Sequence, residues 1–258
     1  MNLIVFKLVA TPLLLMVATL SVRRWGEVIG GVVLGLPLTS GPISVFLMLE
    51  HGSAFAAQAA TGSLVATVAQ SAFCCAYAWL ALQNWLVALV GGCAAFSVVA
   101  VLLQWGTLPD AVLFATAILA VALALRLIPD RIARVGRYSP PWWDLPLRMA
   151  LIALLVTSVT LAASYIGPKA SGVVASFPFM AIILAVFTHR MVGHVAVRQL
   201  MRGMVTGLLG FGAFFYVLSQ ALMRMSHFAA YGAAILSALA IQGVSLYRLR
   251  SPVSLSAE

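Results

Sequence analysis

Charge is what this sequence has least of. Of its 258 residues only 8% are Asp, Glu, Lys or Arg, and six carboxylates stand against fifteen basic side chains. Soluble domains carry about a quarter charged residues, so this chain cannot cover a water-facing surface. Six carboxylates also leave little for general acid–base chemistry. No His-Glu-x-x-His, Gly-x-Ser-x-Gly or phosphate-loop pattern occurs, and those patterns are what fix a metal, nucleophile or phosphate on the backbone. The expectation is a protein that is not an enzyme and uses no cofactor. The three cysteines, Cys74, Cys75 and Cys93, lie inside apolar runs without metal-ligand spacing and read as small packing residues. No loop is long enough for a nucleotide-binding domain, which excludes a primary pump within this chain.

What fills the sequence instead is apolar: 63% of residues are hydrophobic and mean hydropathy is +1.09. Windows without a single charge run over 28–49, 51–109, 111–125, 149–168, 170–188, 203–223 and 225–247. About 20 apolar residues cross the hydrocarbon core as a helix. The window 51–109 holds two crossings, with a turn near Gln83-Asn84. These runs lack the alternation of a transmembrane barrel. The fold class is all-α: a polytopic helical membrane protein of about nine spans, placed roughly at 2–21, 28–49, 55–82, 85–104, 109–127, 146–165, 170–188, 193–222 and 227–247. The first run, Leu3 to Leu20, lacks a small-x-small cleavage step and reads as a span rather than a signal peptide.

The formal charge of +9 follows topology rather than nucleic-acid binding. Across alternating connections, twelve of the fifteen basic residues fall on one side, leaving Lys7, Lys169 and Arg224 on the other. Basic residues collect on the cytoplasmic side, which predicts an external N-terminus and a cytoplasmic C-terminus. The loop from Leu127 to Arg148 holds Arg131, Arg134 and Arg137, with Trp142 and Trp143 as headgroup-level anchors.

A shift of 141 residues superposes two stretches, "TLSVRRWGEVIGGVVLGLPLTSGPISVF" from Thr19 and "TLAASYIGPKASGVVASFPFMAIILAVF" from Thr160. Pairs such as Gly26/Gly167, Gly31/Gly172, Pro37/Pro178, Gly52/Gly193 and Gly62/Gly203 coincide, giving 12 identities in 48 positions. Glycine and proline matches carry backbone meaning. Five crossings separate the two starts, so the expected arrangement is two inverted-topology repeats of four helices joined by a connector. Residues 1–105 form repeat 1 with spans 1–4. The connector span and basic loop occupy 106–145, and 146–258 form repeat 2 with spans 6–9 and a short tail.

Inverted repeats in transporters put their sites near the midplane, at Gly/Pro-interrupted helices. Here Pro37 and Pro178 sit at the centres of the second and seventh spans. Each frees a carbonyl one turn earlier, at Val33 and Val174, and such carbonyls are tolerated only inside protein or beside a wet cavity. Pro37, Thr39, Ser40, Ser176, Pro178, Gln70 and Tyr216 are the candidate substrate-binding residues. Glu50, His189, Arg190, Arg198 and Arg202 are the candidate gating or charge-attracting groups, with Arg198 and Arg202 sharing a helix face at i, i+4. A solvated helix end for Glu50 and a positive-inside face for the arginines are the plainer alternatives.

The pieces "SGVVASFPFMAIILAVFTHR" and "GGVVLGLPLTSGPISVFLML" resemble the Gly-small-x-x-Pro break of the small four-helix GlpM-like bacterial inner-membrane proteins, over about 70 residues in each half. The first half departs in having Leu-Pro for Phe-Pro and Glu50-His51 for His-Arg. The resemblance implies a multi-pass protein of the bacterial inner membrane with an envelope-related role, and no substrate.

The leading expectation is a secondary transporter or exporter of a small solute or lipid-linked molecule, working by alternating access. A non-transporting scaffold or accessory subunit for envelope biosynthesis is the alternative, and a channel or lipid scramblase a third. Membrane lipid and the transported molecule are the expected partners. Nucleic acid is not, and small-residue runs such as Gly91-Gly92 admit a homodimer.

Overall fold

The computed structural model of the chain describes residues 27–38, 40–106, 108–129 and 167–250, with a few isolated positions elsewhere. The expected spans 2–21 and 146–165, and the basic loop, lie outside the described residues. Nine helices occur among the described residues: α1 (Glu27–Leu34), α2 (Ser40–His51), α3 (Ser53–Leu80), α4 (Trp85–Gln104), α5 (Asp110–Leu127), α6 (Pro168–Ala175), α7 (Phe179–Met191), α8 (His194–Ala221) and α9 (His227–Arg250). No strand occurs among them.

Among the described residues six segments are long and apolar enough to cross a membrane: α3, α4, α5, α6 with α7, α8, and α9 as far as Ser245. The chain is a multi-pass helical membrane protein. Three of these spans, α4, α5 and α9, have only 22% of their apolar window buried, against 67% and 78% for α3 and α8. Their free faces carry Val90, Leu102, Leu119, Leu123, Leu236 and Leu239, an apolar surface suited to lipid and unsuited to water. The two 28-residue helices α3 and α8 therefore form the centre. At about 1.5 Å per residue each exceeds the ~30 Å hydrocarbon core.

The element boundaries recur at the 141-residue shift. α3 and α8 map onto each other end to end, and so do α1 and α6. Each long helix starts at a glycine in a backbone region closed to other residues: Gly52 at φ 86, ψ 171 and Gly193 at φ 108, ψ 179. The glycine lets one helix end and the next begin without a loop, directing α2 into α3 and α7 into α8.

Connector α5 reveals the relative direction of the long helices. At its N-terminus Asp110 accepts hydrogen bonds from Thr61 of α3 (2.9 Å) and Gln220 of α8 (2.8 Å). At its C-terminal end Trp79 of α3 donates to the Leu127 carbonyl (3.1 Å), while Arg202 of α8 donates to those of Leu125 and Ile128 (2.7 Å each). From Thr61 to Trp79, α3 runs along α5; from Arg202 to Gln220, α8 runs against it. The long helices are antiparallel. Carboxylate and guanidinium sit on the favourable ends of the α5 dipole.

Packing crosses between the halves. α3 packs on α6 of the second half, and α8 packs on α1 of the first. The contacts are backbone to backbone. A Cβ at Gly62 would fall onto the Lys169 carbonyl, one at Gly172 onto that of Ala59, and one at Gly203 onto that of Val28. Small residues let helix axes approach in lipid, where apolar burial drives no association. Gly172→Val and Gly203→Val are each expected to cost about 3 kcal/mol, read as a fall in the melting temperature of detergent-solubilised protein. Gly232→Ala, with nothing within 4 Å of its Cβ, should be neutral or gain up to about 1 kcal/mol.

Candidate functional site at the two helix breaks

The spans expected at 28–49 and 170–188 are each two helices, α1/α2 and α6/α7, separated by a short non-helical step. The step has the same hydrogen bonds in both halves. Leu36 N–H donates to Val33 O (3.2 Å), Leu38 N–H to Leu36 O (2.7 Å) and Gly41 N–H to Pro37 O (2.9 Å). In the second half Phe177 donates to Val174 O (3.1 Å), Phe179 to Phe177 O (2.8 Å) and Ile182 to Pro178 O (2.8 Å). All three donors and acceptors are displaced by 141 residues. The Val33 and Val174 carbonyls, expected to open onto a wet cavity, are instead satisfied within the chain by a tightened last turn. An unsatisfied backbone group in hydrocarbon costs several kcal/mol, and a three-residue turn is the shortest way to avoid it.

Two carbonyls within the second turn are satisfied by side chains from the other half. Gln70 of α3, 4% exposed, donates its amide to the Ser176 carbonyl. Ser40 of α2 donates to the Ala175 carbonyl (3.2 Å). The Ser176 hydroxyl donates to that of Ser63 (2.9 Å), which lies near the carbonyls of Ala59 (3.2 Å) and Gly172 (3.3 Å). Ser40, Ser63, Gln70 and Ser176 thus form one buried polar cluster where α2, α3 and α6 meet. Thr67 and Ser71 continue it along α3 but bond their own helix four residues back (3.0 Å each).

Beside the cluster is a cavity of about 30 Å³, lined by Ser40, Gln70, Ser176 and Pro178 among apolar neighbours including Leu36, Leu38 and Phe211. At ~10–15 Å³ per site it has room for one or two waters. Leu36 and Leu38 also border a second, far larger cavity of about 470 Å³ between the first break and α9. Pro37 faces that one, where the wall is almost wholly apolar.

The expected site residues therefore divide. Ser40, Gln70, Ser176 and Pro178 converge, Pro37 lies just across Leu36 and Leu38, and Thr39 falls outside the described residues. Tyr216 does not join them: its ring stacks on Phe114 of α5, centroids 4.6 Å apart at 12°. The charged groups are spread along the surfaces. Glu50 is exposed at the end of α2. Arg190 is exposed over the Trp85 ring, 5.4 Å from its centroid. Arg202 is engaged at the end of α5. Arg198 Nε and His189 Nδ1 are buried without a hydrogen bond, and the His189 ring lies 6.0 Å from that of Tyr77.

Ser63 and Gln242 are polar positions that sequence reasoning passed over. Ser63 had a signal, since Ser63, Thr67, Gln70 and Ser71 follow i, i+4, i+7, i+8 and share a face. Gln242 had none, standing alone in an apolar run. Among the described residues no three His, Cys, Asp or Glu are placed to hold a metal.

Replacing Gln70 by Leu leaves the Ser176 carbonyl buried without its partner and should lower stability by about 1–3 kcal/mol. A double-mutant cycle on Ser63→Ala and Ser176→Ala should give a coupling of about 0.5–1.5 kcal/mol. Additive effects would mean the two hydroxyls are not bonded. No family model matches the chain, and neither a curated protein nor a solved structure matches it.

Proposed function

We propose that the chain is a secondary transporter that moves a small or lipid-linked molecule by alternating access around the paired helix breaks. One observation carries this reading: two breaks with the same hydrogen-bond pattern sit on antiparallel halves and share a buried polar cluster, Ser40–Gln70–Ser63–Ser176. A packed scaffold has no use for a second copy of a costly break on the opposite strand direction. A transporter has one, because two equivalent hinges let either half rock against the other. On this reading the halves are inverted-topology repeats, with nine spans once 2–21 and 146–165 are added to the broken segments. The N-terminus is external, the C-terminus cytoplasmic, and the location a bacterial inner membrane.

The alternative is a non-transporting scaffold, favoured by one feature. The polar cavity is small and the carbonyls freed by proline are satisfied internally, which suits a dry, permanently packed centre.

Single cysteines at Thr39, Ser40 and Phe179, in a background lacking Cys74, Cys75 and Cys93, decide between them. With a membrane-impermeant thiol reagent in sealed vesicles, the transporter reading predicts reaction at Ser40 and Phe179 from one side or both. Complete lack of reaction in folded protein would support the scaffold instead.

A further inference from the structure

The larger cavity is a crevice in the flank of the molecule. Its floor is Phe46 and Phe214, 7% and 4% exposed, and its mouth is formed by Ile235 and Leu239 of α9, 50% and 58% exposed. Those two residues belong to the apolar face turned toward lipid, so the crevice opens sideways into the bilayer. At about 470 Å³ it falls within the ~300–1,000 Å³ of small-molecule sites. One end reaches Val45 and Tyr231, and the other reaches the first helix break at Leu36 and Leu38.

Two polar side chains of α9 have buried atoms that lack hydrogen bonds: Tyr231, a residue of the crevice wall, at its hydroxyl, and Gln242, nearer the inner end, at its amide. Tyr231, Ile235 and Ala238 line the crevice from α9, and Gln242 continues their face one turn further on. Gln242 is 4% exposed, yet neither its amide nitrogen nor its amide oxygen has a hydrogen bond. A Cβ placed at Gly210 would stand 3.1 Å from Gln242 Oε1 and 3.5 Å from Leu36 Cδ2. The unpartnered amide is therefore close to the residue shared by crevice and polar cavity. A buried amide without partners costs about 1–3 kcal/mol, and the equivalent position in the first half is Val101, so the repeat does not explain it.

We propose that the crevice between the first break and α9 binds a single-chain amphiphile whose alkyl or isoprenyl chain fills the apolar part and whose uncharged, hydrogen-bonding head meets Gln242 at the inner end. Among the described residues no Asp, Glu, Lys, Arg or His lines either cavity, so a head carrying net charge would find nothing there to balance it. A head with both a donor and an acceptor, such as a hydroxyl or amide, satisfies both sides of the Gln242 amide. This rests on the transporter reading for its purpose, since it names the class of molecule moved, though not for the binding itself.

The test is photolabelling of detergent-purified protein by a diazirine derivative of oleyl alcohol, followed by peptide mapping. The label is expected on peptides spanning 36–46 and 231–242 and should be displaced by excess oleyl alcohol but not by an equal amount of phosphatidylglycerol. Gln242→Leu should weaken displaceable labelling about tenfold while leaving thermal stability equal or higher, because it removes an unpaired buried amide. Ile235→Trp should block labelling by filling the mouth, and Val244→Trp, exposed elsewhere on α9, should not. Label spread over the outer faces of α4 and α5, equal displacement by phosphatidylglycerol, or a cross-link joining two copies of the chain would each overturn the proposal. Displaceable labelling alongside unreactive Ser40 and Phe179 cysteines would sink the transporter reading alone. The reverse pattern would remove only this ligand class.

Discussion

The constraint on which this structure depends is that backbone groups in hydrocarbon must find partners within the protein. Pro37 and Pro178 each interrupt a helix and leave backbone groups that have to be met inside the protein. The chain meets the cost twice, first with a three-residue turn that takes up the Val33 and Val174 carbonyls, then with side chains reaching across from the other half. Gln70 and Ser40 close the Ser176 and Ala175 carbonyls. The long helices have to lie against the breaks for that to happen, and glycines at 62, 172 and 203 let them come close enough. Break, clasp and close approach are one device.

This arrangement also accounts for the division of labour among the helices. α3 and α8 each touch the broken helix of the opposite half, each other, and the connector α5. Neither half is complete alone, because its own break is satisfied or covered by the other. Asp110 and Arg202 hold the connector at its two ends, one through the neutral donors Thr61 and Gln220, the other through two carbonyls. Both charges are placed where a helix dipole accepts them. Among the described residues, the polar cluster at the breaks, Ser40, Ser63, Gln70 and Ser176, is made of uncharged side chains.

Much of the fold was legible in the sequence. Lengths of uncharged chain gave α3, α4, α5, α8 and α9 within a few residues, and Asn84, expected in a turn, caps α4 by accepting from Val87 N–H at 2.8 Å. The Gly and Pro coincidences at the 141-residue shift located both breaks. What was not legible was how the breaks are satisfied. Proline predicts a freed carbonyl but cannot tell whether water, a turn or a distant amide will meet it. That choice depends on which helix packs alongside, which is long-range information. The same limit explains Tyr216, whose ring is drawn to Phe114 rather than to the break. The crossed packing, α3 on α6 and α8 on α1, has no signature in single-sequence periodicity either, because a polar or small-residue face shows that a helix packs inward and not which helix it meets.

The central claim is that two halves of opposite direction clasp each other's broken helix. It is tested most directly by finding the membrane side of the junctions that begin α3 and α8. His51→Cys and His194→Cys, both at exposed positions, would be introduced singly into protein lacking Cys74, Cys75 and Cys93 and treated with an impermeant thiol reagent in sealed, uniformly oriented vesicles. One cysteine should react from outside only and the other only when the reagent is placed inside. Reaction of both from the same side would contradict the antiparallel arrangement and, with it, the transporter account.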